Sequence, residues 1–514
     1  MATGKSTLGH LVAARLGVPF VDTDACLAEQ AGMRIGELFA SEGEARFRER
    51  EAQLVLSMLD DPSPRVIGFG GGTVTISRVR HLALERATVV TLTAAPETVV
   101  ARVQSLPDRP NLLAASPLER ARDLLSLRRE AYGECHATLA TEGRTPEDLA
   151  EQVLAIAAGE TLAMPLGTRS YVVELADGEP ARLTATLAAL APSSLLVVTD
   201  SNVAAARGAW LERALEPFTM PRHFVTITPG EQSKTLATVS RIWDEALAHG
   251  IDRDAVVVAF GGGVVGDLAG FTASTILRGV RCVQIATSLL AMVDSSVGGK
   301  TGFDHAAGKN LIGAFFQPSH VLVDFEHLTT LPERERAAGL AEVVKIALVR
   351  DAALFELLEH SVDALRAGQR EAIRPVVRAA ILAKIRVVRD DEREAGARAL
   401  LNLGHTVGHA LESHGGYARL LHGEAVAIGT VIELRATEHL GLTAPGTTAR
   451  AKALFERLGL PTDASREELV AAWPFVLSDK KRSSTTLRLP VVTSIGAGSV
   501  AKLPIAQLHD AVVR

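Results

Sequence analysis

Short apolar runs alternate with longer amphipathic stretches over the first 160 residues. Residues 9–16 are amphipathic, residues 66–69 and 87–92 are β-rich, and residues 119–134 form a charged helical stretch with Leu124, Leu125 and Leu127 as its apolar members. This alternation predicts an α/β unit with a mostly parallel sheet. Around residues 157–167 an Ala-rich helical pattern is broken by Pro165 and Gly167, and a new strand is expected at 171–175. Strand runs at 194–199, 255–260, 280–286 and 321–325 predict a second α/β unit, and the 255–260 run leads straight into Gly261-Gly262-Gly263. After Pro332 the pattern turns helical, at 334–350, 352–366, 371–390, 404–414 and 423–440, with residues 486–492 as a strand returning toward the core. The expected division is therefore residues 1–160 and 161–330, both α/β, and residues 331–514, all-α.

The length of 514 residues agrees with three domains at about 150 residues each. A hydrophobic content of 47% and a charged content of 22% are those of a folded chain. The net charge of −6 argues against a nucleic-acid partner. No uncharged apolar run reaches the ~18 residues of a membrane span, and the opening MATGKST is not a signal peptide. Cys26, Cys135 and Cys282 lack metal-ligand spacing and read as buried thiols in a reducing cytoplasm. Only ten of the 54 basic residues are lysine. With Arg supplying ordinary surface charge, each Lys is a candidate for a task that needs a compact ammonium.

Gly4-Lys5-Ser6-Thr7 is the second half of a phosphate loop, G-x-x-x-x-G-K-[ST], in which backbone N–H groups wrap phosphates, Lys reaches the terminal oxygens and Ser holds Mg²⁺. Asp22 and Asp24 follow at a strand end, then Phe47-Arg48-x-x-Glu51, Gly70-Gly71-Gly72, Arg109-Pro110 and Arg128-x-x-x-Tyr132. Singly, these arginines read as solvated helix faces and the glycines as a tight turn. In this order they resemble shikimate kinase, a P-loop α/β kinase. The resemblance implies that Gly4, Lys5, Ser6 and Thr7 meet the ATP phosphates, that Ser6 and Asp22 hold Mg²⁺, and that Arg109 meets the nucleotide from a lid. It places shikimate against Asp24, Arg48 and Gly71, with Asp24 at the attacking hydroxyl and Arg48 and Arg128 on the carboxylate. Phosphoryl transfer needs positioning and positive charge more than covalent chemistry. The first glycine of the loop would fall at position −1, so a start codon further upstream is expected, and kinase activity is expected to be impaired in the chain as written.

The second site begins with G-x-G-x-x-G at Gly261 to Gly266, followed by Asp267, between a strand and a helix as a pyrophosphate loop should be. Upstream, Glu231 and Lys234 lie in PGEQSK, which offers a carboxylate for ribose hydroxyls or a helix-capping turn. Downstream, Thr287, Ser288, Asp294, Lys300, Lys309 and Asn310 lie in Gly- and Ser-rich segments that suit a polyanion or form a flexible surface loop. His405 and His409 share one helix face, His422 adds a third imidazole, and Glu342 is a carboxylate inside an apolar helix. A His₂Glu set with one open position is a catalytic zinc arrangement.

PGEQSK, GGGVVGD, DSSVGGKTG, GKN, AEVVK, DERE, NLGHTVGH and LHGE together resemble 3-dehydroquinate synthase over residues 165–500. The resemblance implies an NAD⁺- and metal-dependent carbon–oxygen lyase of two parts, an α/β NAD-binding part and an all-α metal-binding part. It assigns Glu342, His405 and His422 to Zn²⁺ or Co²⁺. Glu231, Lys234, Gly263, Val264, Val265, Gly266, Asp267, Thr287, Ser288 and Thr330 fall to NAD⁺, with Lys309 and Asn310 between cofactor and substrate. Asp294, Lys300, Lys345, Lys384, Arg398, Asn402 and His409 fall to the substrate, and Arg278, Lys480 and Lys481 to its phosphate. It further implies a cytoplasmic homodimer acting on small molecules. The alternatives are a metal-dependent polyol dehydrogenase or another sugar-phosphate cyclase, joined to an inactive kinase-like docking module.

Overall fold

In a parallel sheet the strands are buried on both faces and read as unbroken apolar runs. Val256–Gly261 (VVVAFG) is such a run, and every one of its positions is buried. It sits at the centre of five parallel strands ordered His320–Asp324, Arg281–Ala286, Val256–Gly261, Leu195–Asp200, Arg222–Ile227. Arg222–Ile227, which the sequence reading did not anticipate, is the edge of this set. Its alternation of exposed and buried residues, Arg222 and Phe224 against Val225 and Ile227, lacks the apolar run of a central strand.

The computed structural model describes residues 2–103, 116–306, 308–417, 419–478 and 485–513. Arg109, Lys480 and Lys481 lie outside the described residues. The chain divides into two compact units, Met1–Glu174 and Leu175–Arg514.

In the N-terminal unit the Lys5–Leu16 helix starts at Gly4, whose φ of 82° only glycine adopts readily, and stops at Gly17 (φ 68°). Its Leu8 and Val12 pack on Leu139, Leu149 and Ala150. The strands form two separate parallel pairs, Phe20–Asp22 with Val66–Gly68 and Val90–Thr93 with Ala137–Ala140. The single helix expected over 119–134 is instead two, Pro117–Leu127 and Arg129–Gly133. It breaks at Arg128, whose φ and ψ of −101° and 4° aim the guanidinium at the Gly71 carbonyl, 2.7 Å away. Leu124 is buried at 6%, but Leu127, at that break, is 82% exposed and belongs to no core.

In the C-terminal unit, helices cover both faces of the sheet, and Trp210 stacks on Phe260 within the core. The Gly- and Ser-rich stretch after residue 294 is ordered as an antiparallel hairpin, Lys300–His305 with Gly308–Phe315. The helical part contains Glu333–Arg350, Ala352–Arg366, Arg370–Asp390, His405–His414 and His422–His439. It also contains a second antiparallel hairpin, Thr486–Ser494 with Ala497–Pro504. His405–His414 and His422–His439 pack at backbone contact: a Cβ on Gly429 would stand 2.0 Å from the Gly404 carbonyl oxygen, and one on Gly408 would stand 2.8 Å from that of Ala425. Glu433, on the second helix, accepts from the Gly404 and Val407 N–H groups at 2.8 and 3.1 Å. A buried carboxylate thus caps the neighbouring helix, whose own first turn has no side-chain cap. No helix among the described residues is long and apolar enough to cross a membrane.

Candidate active site

A cleft of about 1000 Å³ opens in the C-terminal unit, between the carboxyl ends of the parallel strands and the helical part. On the sheet side, the Gly263–Thr275 helix begins at Gly262 with no side-chain cap. Gly263, Val264 and Val265, in its first turn, line the cleft, and a helix start of this kind favours an anion. Gly266 does not line the cleft. It is where the helix meets the sheet, and a Cβ there would stand 2.8 Å from Gln284.

Asp267 pairs with buried Lys234 at 2.6 Å, and Lys234 donates to Asn310 at 2.6 Å. Lys234 stands 3.9 Å from Glu231, which pairs with Lys309 at 3.0 Å. Lys309 pairs in turn with Glu412 at 3.1 Å. Burial disfavours the Lys309 ammonium, but Glu412 and Glu231 more than offset it and hold the pKa above the usual lysine range. Thr287, Ser288 and Thr330 complete this side of the lining.

On the helical side, Glu342 is 3% exposed in the middle of Glu333–Arg350. Its Oε1 lies 3.4 Å from His422 Nε2 and 3.8 Å from His405 Nε2, and Lys345 pairs with Oε2. Neither oxygen has a hydrogen-bond donor of normal geometry. A buried carboxylate left this way is costly. One donor atom from each of Glu342, His405 and His422 fits within 4.8 Å of the others, and this set suits a divalent cation. His409, Glu412 and His422 form a second such trio. Burial, then Lys345, pushes His405 well below the usual imidazole range. Burial acts the same way on His422, but Glu412 and Glu342 override it and raise the pKa to about 9.

Around this cluster, Lys384 pairs with Asp294 at 2.5 Å, and Lys300 pairs with Glu394, to which Asn402 also donates. Arg398, 1% exposed, donates to the Gly298 carbonyl at 2.9 Å. Burial lowers Lys384 to about 8 and also lowers Lys300. Burial would raise Asp294, but Lys384 and Lys345 hold it well below the usual carboxylate range.

The cleft gathers all the expected residues described in this unit except Gly266, Glu342, which lies behind the lining, and Arg278. Leu277 and Arg278 both adopt left-handed backbone (φ 50° and 66°), and Arg278 does not line the cleft. Sequence reasoning missed Glu412, Asp200 and Asn202, and it quoted Glu394 within DERE without giving it a role. Glu412 stands three residues after His409 on one helix face, a spacing that could have found it. Asp200 ends a strand and caps the next helix through the Asn202 and Val203 N–H groups, which could have flagged a strand-end site.

The N-terminal unit brings its expected residues together more loosely. Ser6 donates to Asp22 at 3.0 Å, Lys5 stands 3.6 Å from Asp22, and Asp22 caps the next helix through the Asp24 N–H. Arg48 pairs with fully buried Glu51 at 2.7 Å, and Tyr132 joins Arg128 on the Gly71 carbonyl. The glycine triplet is more than a turn: a Cβ on Gly70 would stand 2.6 Å from Asp24 and Glu51, and one on Gly72 would stand 2.3 Å from Arg48. Gly4 caps the Lys5–Leu16 helix without a side-chain bond, leaving the N–H groups of Lys5, Ser6 and Thr7 open to an anion.

Family models match both units. One described as 3-dehydroquinate synthase N-terminal covers residues 224–338, one described as 3-dehydroquinate synthase C-terminal covers residues 339–482, and one described as shikimate kinase covers residues 1–158. A 3-dehydroquinate synthase of Geobacter metallireducens is 44% identical over 345 residues, 67% of this chain and 96% of that protein. One of Acidithiobacillus ferrooxidans is 42% identical over 340 residues, 66% of this chain and 93% of that protein. A solved 2-epi-5-epi-valiolone synthase from Streptomyces hygroscopicus subsp. jinggangensis 5008, with NAD⁺ and Zn²⁺ bound, is 30% identical at a TM-score of 0.60, over 67% of this chain and 96% of that one.

Proposed function

The chain belongs to the 3-dehydroquinate synthase family, and we propose that its C-terminal unit converts 3-deoxy-D-arabino-heptulosonate 7-phosphate into 3-dehydroquinate and inorganic phosphate, a step of the shikimate route to aromatic amino acids. The observation that carries this reading is one cleft holding both an uncapped helix N-terminus and a buried Glu342–His405–His422 cluster whose donor atoms converge. When bound, NAD⁺ would supply a hydride acceptor regenerated within each turnover, and a divalent cation, Zn²⁺ or Co²⁺, would supply charge at the hydroxyl being oxidised.

The chain's own residues hold these groups and the substrate. Gly263, Val264 and Val265 present N–H groups to the pyrophosphate. Glu231 offers a carboxylate to ribose hydroxyls, with Lys234, Asp267, Thr287, Ser288 and Thr330 around it. Glu342, His405 and His422 hold the cation. Lys300, Lys345, Lys384 and Arg398 grip the carboxylate and phosphate of the substrate, while Asp294, Asn310, Asn402 and His409 orient its hydroxyls. The elimination releases phosphate in a pocket lined by these cations, which steady the departing charge. Arg278, outside its own cleft, is assigned to the substrate phosphate of a second copy in a homodimer.

Incubating the full chain with the heptulosonate phosphate, Zn²⁺ and NAD⁺ at a small fraction of the substrate should yield dehydroquinate and phosphate in equal amounts. Stoichiometric NADH accumulation would instead make the protein a dehydrogenase.

For the N-terminal unit the reading is transfer of the ATP γ-phosphoryl group to shikimate. Its support is the shikimate kinase match and the Lys5–Ser6–Asp22 and Arg48–Glu51 arrangements. Gly4, Lys5, Ser6 and Thr7 would meet the phosphates, and Ser6 and Asp22 would hold Mg²⁺. Asp24 would face the attacking hydroxyl, and Arg48, Arg128 and Gly71 the shikimate. Shikimate-dependent ADP release tests it, and its absence at saturating ATP and Mg²⁺ would remove the assignment.

A further inference from the structure

His422 is addressed from both ring nitrogens. Its Nε2 stands 3.4 Å from Glu342 Oε1, inside the cation cluster. Its Nδ1 faces the other way, 3.4 Å from Glu412 Oε1 and 3.5 Å from Glu412 Oε2. Glu412 is 4% exposed, and its Oε1 is held by Lys309 at 3.1 Å. Glu412 and His422 sit on different helices, His405–His414 and His422–His439, whose glycine contacts leave little room to adjust.

A neutral imidazole carries one proton, and the nitrogen left bare is the one that can bind a cation. A carboxylate beside one nitrogen keeps the proton there. We propose that Glu412 is a positioning residue of the synthase site: it accepts from the Nδ1–H of His422, which fixes the ring and its tautomer so that the Nε2 lone pair faces Glu342, and Lys309 in turn holds Glu412 in place. This rests on the reading of Glu342, His405 and His422 as the cation site. The competing arrangement is a second cation held by His409, Glu412 and His422, which would require a bare Nδ1.

The full chain is loaded with Co²⁺, and its visible absorption and its affinity against a competing chelator are measured for wild type, Glu412→Ala, Glu412→Gln and His405→Ala. The expected result is one equivalent bound by wild type. Glu412→Ala should bind about 10–100-fold more weakly with an altered spectrum. Glu412→Gln, whose amide oxygen still accepts from Nδ1–H, should recover most of that loss. Wild-type affinity and spectrum in Glu412→Ala would overturn the proposal, as would two equivalents in wild type with one lost in that variant. No His405-dependent binding in wild type would overturn the cation site itself, and the proposal with it. Should Glu412→Ala not fold, ¹⁵N-histidine spectra of the Zn²⁺-loaded wild type decide: a protonated Nδ1 on His422 is expected, and a ligated Nδ1 overturns the assignment.

Discussion

Lys345 and Lys384 of the C-terminal unit are 2% and 5% exposed, whereas Lys5 of the N-terminal unit leaves 31% of its side chain in solvent. The acidic partners are mixed: Glu342 is 3% exposed, whereas Asp294 and Asp22 leave 29% and 21% of their side chains in solvent. The scaffolds differ in parallel with this. Five adjacent parallel strands with buried interiors carry one site, and two separate pairs, whose residues at Val66–Ile67 and Val90–Thr93 are half-buried, carry the other. A charged group is oriented by its surroundings only to the extent that water is kept away. The part of the C-terminal cleft around Lys345 and Lys384 is therefore set before any ligand arrives, whereas Lys300 leaves 46% of its side chain in solvent. Among the described residues of the N-terminal unit, the Arg48–Glu51 pair, with Thr73 donating to Glu51, and the Arg80–Glu134 pair come nearest to that degree of burial.

The largest effect should come from the cation cluster. Replacing His405 or Glu342 with Ala should lower phosphate release by more than the about 10–100-fold that outer partners of a metal site cost. Assaying release with excess Zn²⁺ checks this, and undiminished turnover would remove the main distinction between the sites. Next is the cost of breaking a pair. Lys384→Met takes the nearest cation from Asp294, a half-buried carboxylate that keeps only the more distant Lys345, and should cost about 1–3 kcal/mol. Lys5→Met, at an exposed pair, should cost under about 1 kcal/mol. All three tryptophans, Trp210, Trp243 and Trp473, belong to the C-terminal unit, so their fluorescence follows that unit alone, while far-UV circular dichroism follows both. Equal losses would break the comparison.

A further effect is one the two units should share. Burial pushes His136 of the N-terminal unit from 6.5 to about 4, and it does the same to His327 of the C-terminal unit. Between those values the unfolded chain binds a proton that the folded chain does not, so stability is lost as pH falls from 6.5 toward 4 and is level above 6.5 with respect to these groups. Urea titrations at pH 7 and pH 5 should show this slope in both units, with a shallower one for far-UV circular dichroism in His136→Gln.

What was legible in the sequence was what one segment carries by itself. The run 255–260 with its glycines identified a central strand and an uncapped helix start, and the paired helix-face histidines and the apolar-flanked Glu342 are side chains that the fold does bring together. Elements whose meaning lies in a distant neighbour were not legible. Glu412 is an ordinary helix carboxylate until Lys309 and His422 meet it. Glu394 stands in a charged turn until Lys300 folds over it. Arg128 reads as mid-helix because the Gly71 carbonyl that diverts it lies 57 residues away. Phe224 and its strand were missed because an edge strand lacks the apolar run of a central one.

Each ammonium in the synthase cleft already has a resident anion: Lys384 has Asp294, Lys300 has Glu394, and Lys309 has Glu231 and Glu412. An arriving phosphate or carboxylate therefore displaces a counter-ion that is covalently part of the chain. The pocket works as an ion exchanger of fixed capacity, and affinity is the difference between two anions' hold on the same cation. Bulk salt competes with only one of them, so substrate binding should depend on ionic strength less steeply than the number of lysines would suggest.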